Sequence, residues 1–129
     1  VSALLNQADV RPLLLALVPE VGPYIDAGMD DSGLLTMYEL LEDGLYALLE
    51  DALQDSGSDD LVRRIYGVTE LLLRHGDRQG GVSAMTHNYT GRSISDARAA
   101  QRPTLMSPWF RDYVGREQVP TWAGGHPGW

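Results

Sequence analysis

The chain has 129 residues, 43% of them hydrophobic, with no Cys, no Lys and a formal net charge of −8. That length and composition fit one folded domain; they argue against a disordered chain and exclude disulfides, thiolate metal sites and a Cys nucleophile. The charge opposes nonspecific attachment to nucleic acid or anionic membrane, and no apolar run nears the roughly 20 residues of a membrane span.

The N-terminal segment reads as a helix over Asp9–Val18, with Leu13, Leu14, Leu17 and Val18 as its apolar face and Pro12 tolerated in the first turn. Pro19 ends or kinks it. Glu20–Met29 then carries Val21, Tyr24, Ile25 and Met29 at helical spacing, with Pro23 near its start. Asp30-Asp31-Ser32-Gly33 is a turn leading into Leu34–Leu53, the segment around which the chain is organised. At 3.6 residues per turn, Leu34, Met37, Tyr38, Leu41, Leu45, Leu48 and Leu49 form one broad apolar stripe there. Glu39, Asp43 and Glu50 align on the opposite side, flanked by Glu42 and Asp51, and the segment contains no basic residue.

Gln54–Gly57 closes that helix. Ser58 is a good N-cap, and Leu61, Ile65, Val68 and Leu72 predict a second helix over Asp59–His75, stopped by Gly76. The short link predicts an antiparallel hairpin. Gly44 and Gly67 each cost about 1 kcal/mol of helix propensity relative to Ala, a cost that close approach of neighbouring backbones would return. Gly80-Gly81 reads as a hinge or loop. Val82, Met85 and Tyr89 give a short helix face, and Ser95–Arg102 another helical piece. Ser107-Pro108 is a cap followed by a first helical Pro, and Trp109, Phe110, Tyr113 and Val114 face the core from a terminal helix. Val119–Trp129 is too rich in Gly and Pro for a helix. Its Trp122 and Trp129 either fold back onto the body or serve a partner. The expected class is therefore all-α: an irregular helical bundle around a central antiparallel helix pair, with a helical domain over 1–118 and a tail over 119–129.

Catalytic motifs are missing. His75, His87 and His126 lack the i, i+4 or HExxH spacing of a zinc site, and Asp51–Asp60 fails the EF-hand pattern position by position. Neither Gly-Gly pair sits in a phosphate loop, and there is no GxSxG elbow. The expectation is a chain without catalysis, metal or cofactor. Nucleic-acid binding would have to use the Arg-rich second half with Trp109 and Tyr113, against the overall charge. His87-Asn88-Tyr89-Thr90 contains an Asn-x-Thr sequence, but no charged-then-apolar secretory segment accompanies it. A cytoplasmic location is expected.

Charge distribution points elsewhere. Residues 1–60 hold 13 acids against Arg11 alone, a net of −12, whereas residues 61–129 hold nine Arg against five acids, a net of +4. Three readings of the acidic helix face stand side by side. It is a solvated surface, or it is neutralised internally by Arg63, Arg64 and Arg74, or it docks a basic partner. In the third reading Glu39, Asp43, Tyr46 and Glu50 form the docking face, with Asp30 and Asp31 as rim charges.

Several stretches carry a resemblance: LVPEV at Leu17–Val21, LLEDGLYALLEDAL ending at Leu53, DDLVRRI at Asp59–Ile65 and LMSPWFR at Leu105–Arg111. Together they resemble an uncharacterised bacterial family of small acidic helical proteins of the kind associated with toxin immunity. Gly81–Arg102 departs from the continuous helix which that resemblance implies. The resemblance implies a protein that binds and neutralises a cognate toxin, or another protein with a basic surface, without catalysis. The alternatives are an interaction or scaffolding module using the aromatic tail and, further off, a small metal enzyme using His75 and His87.

Overall fold

A computed structural model of the protein describes residues 4–28, 37–55, 58–77, 81–90 and 102–117. Helix α1 (Gln7–Leu17) starts two residues before the expected Asp9 because Asn6 and Asp9 cap each other. The Asp9 amide donates to Asn6 Oδ1 at 3.2 Å and the Asn6 amide to Asp9 Oδ2 at 2.9 Å, a reciprocal capping box. Pro12 therefore lies beyond the first turn, contrary to expectation. Its ring forfeits a bond to the Ala8 carbonyl, and both residues lie exposed on the solvent side of the helix. Val10, Leu14 and Val18 are buried, but Leu17, expected on the apolar face, is 42% exposed.

Pro19 opens a 3-10 turn (Pro19–Val21), and Pro23 is the second residue of α2 (Gly22–Gly28). The organising segment follows as α3 (Met37–Glu39), a π-helical stretch π1 (Leu40–Tyr46) and α4 (Ala47–Gln54). Glu39, Tyr46 and Ala47 at the junctions all have right-handed helical dihedrals, so the three pieces form one uninterrupted rod.

The π stretch explains which residues are buried. Met37, Leu40, Leu41, Gly44, Leu45, Leu48, Leu49 and Ala52 face inward, in two rows of strict four-residue spacing. At 3.6 residues per turn such rows drift sideways around the helix; bonds closing to i+5 take more residues per turn and bring them back. Leu40 thereby joins the core, although the regular wheel leaves it off its stripe. The expected residues Leu34 and the 34–36 start lie outside the described residues.

Gly44 fits against α2. A Cβ there would stand 3.4 Å from Ile25 Cγ1 and 3.5 Å from Val21 Cγ2, ordinary van der Waals contact with side chains, so the expected close approach of backbones does not require glycine here. Nor does it at Gly67, where nothing lies within 4 Å of the would-be Cβ.

Helix α5 (Asp59–His75) has the expected bounds, and it packs against α4 across the short link. Its buried face is broader than the four-residue repeat implied, comprising Val62, Ile65, Tyr66, Val68, Thr69 and Leu72, with Leu61 only half-buried. Ser58 occupies the N-cap, but its hydroxyl donates to Asp55 Oδ2 at 2.9 Å and makes no cap bond. Gly76 ends α5 in an extended conformation (φ −70°, ψ 144°), not in the left-handed one typical of a glycine stop. What requires glycine there is space. A Cβ would fall 2.5 Å from Val82 Cγ1 and 3.0 Å from the Ser83 nitrogen, and closer still to the Leu72 carbonyl. Leu5 lies alongside in an isolated parallel bridge, donating to the His75 carbonyl at 2.8 Å and accepting from the Asp77 amide at 2.7 Å.

Gly81, at φ 82°, supplies the left-handed turn into α6 (Val82–Tyr89). Val82, Thr86 and Tyr89 are buried there and Met85 is half-buried. The three buried threonines return their hydroxyls to the carbonyl four residues back: Thr69 to Ile65, Thr86 to Val82 and Thr90 to Thr86, at 2.7 to 2.9 Å. A second 3-10 turn (Pro103–Leu105) precedes α7 (Pro108–Glu117), which Ser107 caps by accepting from the Phe110 amide at 3.0 Å. The fold is all-α in a single domain, and no strand occurs among the described residues. The helical piece expected at Ser95–Arg102 and the tail at 119–129 lie outside the described residues, except Arg102, whose φ of 53° is not helical. None of the described helices is long and apolar enough to cross a membrane.

Candidate functional site: the acidic rod and its surroundings

The rod displays the acids predicted from the sequence in three settings. Glu39 ends α3 half-buried, Asp43 is exposed within π1, and Glu50 is exposed on α4. Tyr46 is half-buried, its ring edge-on to buried Tyr89 with centroids 6.2 Å apart. The straight alignment of Glu39 with Glu50 on a regular wheel does not carry across π1. One residue inserted into a helical turn rotates everything beyond it by roughly 100°. Asp30 and Asp31, the expected rim charges, lie outside the described residues. Asp51 is already engaged: the Tyr24 hydroxyl donates to its Oδ2 at 2.5 Å, and this carboxylate raises the Tyr24 pKa.

The arginines decide how much of this charge is cancelled internally. Arg64 pairs with Glu20 at 2.5 Å and with Asp60 at 2.9 Å, and Arg74 pairs with Glu70 at 2.9 Å. Arg102 reaches Asp59 at 3.2 Å and also donates to the carbonyls of Leu53 and Asp55 at 2.8 and 3.0 Å. It therefore closes the α4–α5 link, satisfying carbonyls that the end of α4 leaves open. Arg63 is exposed and makes no ion pair among the described residues. None of the three arginines expected to neutralise the rod pairs with Glu39, Asp43 or Glu50. Asp43 and Glu50 have no ion-pair partner among the described residues.

A second feature was not anticipated. Helices α5, α6 and α7 enclose an open groove of about 560 Å³, lined by Leu73, Ser83, His87, Asn88, Trp109 and Tyr113 among others. Its aromatic wall is held in place by several contacts. Trp109 stacks on Tyr113 with centroids 5.3 Å apart, and the Arg74 guanidinium lies 5.1 Å from the Trp109 ring. Tyr113 shares a hydrogen bond with His87 Nδ1 through its hydroxyl, and Glu70 holds both Arg74 and the Ser107 hydroxyl. The sequence signal was the i, i+4 pair Trp109/Tyr113, read as a core face. The core row on α7 is the adjacent pair Phe110/Val114.

His87 is thus bonded to a tyrosine, and no group of three His, Asp or Glu among the described residues could hold a metal ion. Fold and surface together define a small all-α domain with an acidic rod face and a separate aromatic groove that no described Asp, Glu or Arg lines. Comparison of the chain with protein-family models, with curated proteins and with solved structures finds no match.

Proposed function

We propose that the chain is a binding protein that docks a basic protein surface on its acidic rod, in the manner of an immunity protein neutralising a cognate bacterial toxin, without catalysis of its own. One observation carries the reading: Arg64 and Arg74 of α5 engage Glu20, Asp60 and Glu70, and among the described residues Asp43 and Glu50 have no ion-pair partner. Uncompensated carboxylates on a rigid helix steer a cationic partner and raise its association rate, an effect that salt screens. Tyr46, backed by Tyr89, supplies a rigid aromatic beside them. The absence of Cys fits a reducing, cytoplasmic setting.

The test is a triple variant, Glu39→Lys, Asp43→Lys and Glu50→Lys, assayed against a toxin-like protein encoded in the adjacent reading frame. If its helical circular dichroism is retained, the variant should lose affinity, and wild-type binding should weaken as salt rises. Unchanged affinity in a folded variant removes these residues from the interface.

A further inference from the structure

The groove between α5, α6 and α7 differs from the rest of the surface in its charge. The chain carries 18 acids and 10 arginines, yet among the described residues none lines this groove, although Arg74 lies over the Trp109 ring of its wall. A basic partner gains nothing there. A neutral segment rich in aromatic and proline residues can enter it without desolvating a carboxylate, and preformed extended proline segments lose little entropy on docking against aromatic walls.

Residues 118–129, QVPTWAGGHPGW, have that chemistry: no Asp, Glu, Lys or Arg, two Pro and two Trp. They are also tethered beside the groove. Its wall residues Trp109 and Tyr113 are on α7, which ends at Glu117. Tyr113 lies only about 6 Å back along the helix from Glu117 at 1.5 Å per residue. Trp122 is five residues beyond Glu117 and so has up to about 17 Å of extended chain with which to reach it. A tether this short gives an effective concentration in the millimolar range, sufficient for a weak contact to be occupied.

We propose that this groove is the seat of the chain's own 118–129 segment, with Trp122 as the anchor against Trp109 and Tyr113 and Asn88 available to its backbone. The inference is independent of the acidic-rod reading and concerns the opposite kind of surface chemistry.

The chain's lack of Cys makes the test specific. In the full chain, Ala123→Cys is labelled with a nitroxide, and the amide signals of Ser83, His87 and Asn88 are followed by NMR. Their loss in dilute protein, unaffected by further dilution and reversed by Trp122→Ala, is the expected result. Signals that stay sharp overturn the proposal. Signals lost only in isotope-labelled protein mixed with spin-labelled protein, and regained on dilution, overturn it in favour of a second copy as the occupant.

Discussion

Arg64 and Glu20, 44 positions apart in the sequence, form a bidentate pair in which Nη1 donates to Oε1 at 2.8 Å and Nη2 to Oε2 at 2.5 Å. The pair ties the 3-10 turn after α1 to the first half of α5, and Arg64 Nε holds Asp60 as well. Two parallel charged bonds fix both side chains in one plane, which a lysine cannot do.

The acid titration of Glu20 follows from that geometry. The bond from Arg64 holds its carboxyl down at about 2, below the ordinary carboxylate range. Because the folded pKa is depressed, this contribution to stability is present above the unfolded value and is lost as pH falls from there toward about 2. A side-chain NMR titration should find Glu20 near that value, and Arg64→Met should return it to the normal range. Both groups are partly exposed, so Arg64→Met should cost only about 1 kcal/mol or less in denaturant unfolding.

Two glycines, one within α5 and one at its C-terminal end, should respond with opposite signs. Gly67 lies mid-helix and exposed, with open space around its Cα, so Gly67→Ala should stabilise by about 1 kcal/mol. Gly76→Ala should destabilise by about 3 kcal/mol, because the new methyl collides with the Leu72 carbonyl and Val82. Urea midpoints for the two variants, measured in parallel, decide this. Equal effects would mean that the contact of α6 with the end of α5 is misplaced.

Arg102 predicts an unusual ordering of substitutions. Its side chain makes three bonds across the α4–α5 link while its backbone sits at φ 53°, a left-handed conformation that side chains disfavour. Arg102→Ala loses the bonds and keeps the strain, at about 2 kcal/mol. Arg102→Gly loses the same bonds but relieves the strain, so it should be the milder change by about 1 kcal/mol. Thermal unfolding of the pair measures the difference.

Tyr89 should tolerate loss of its hydroxyl. The side chain is fully buried, its oxygen has no hydrogen-bond partner among the described residues, and burial pushes its pKa up. Removing an unsatisfied buried polar atom while keeping the ring leaves packing intact, so Tyr89→Phe should be neutral or stabilising by about 1 kcal/mol. A loss of stability would indicate a bound water at that oxygen.

The all-α class, the bounds of α5, and the Ser107-Pro108 start of α7 were legible in the sequence. Caps and hydrophobic repeats act within one or two turns, so the information lies in neighbouring residues. Even the organising segment was recognised by its leucines. The tertiary structure decided what those local rules could not reach. The four-residue spacing of the buried rows coincides with a π turn where the rod packs against α2 and α6 at once. That turn rotates the acids beyond it, so the face drawn on a regular wheel is not the face the molecule presents. Likewise the pairing of Arg64 with Glu20 and of Arg102 with Asp59, the space needed at Gly76, and the groove behind Trp109 and Tyr113 depend largely on which elements meet. The sequence by itself set the charge each half carries and the i, i+4 pairs within α5, because these act within one helical turn; tertiary contact determined which of the remaining charges are cancelled between elements.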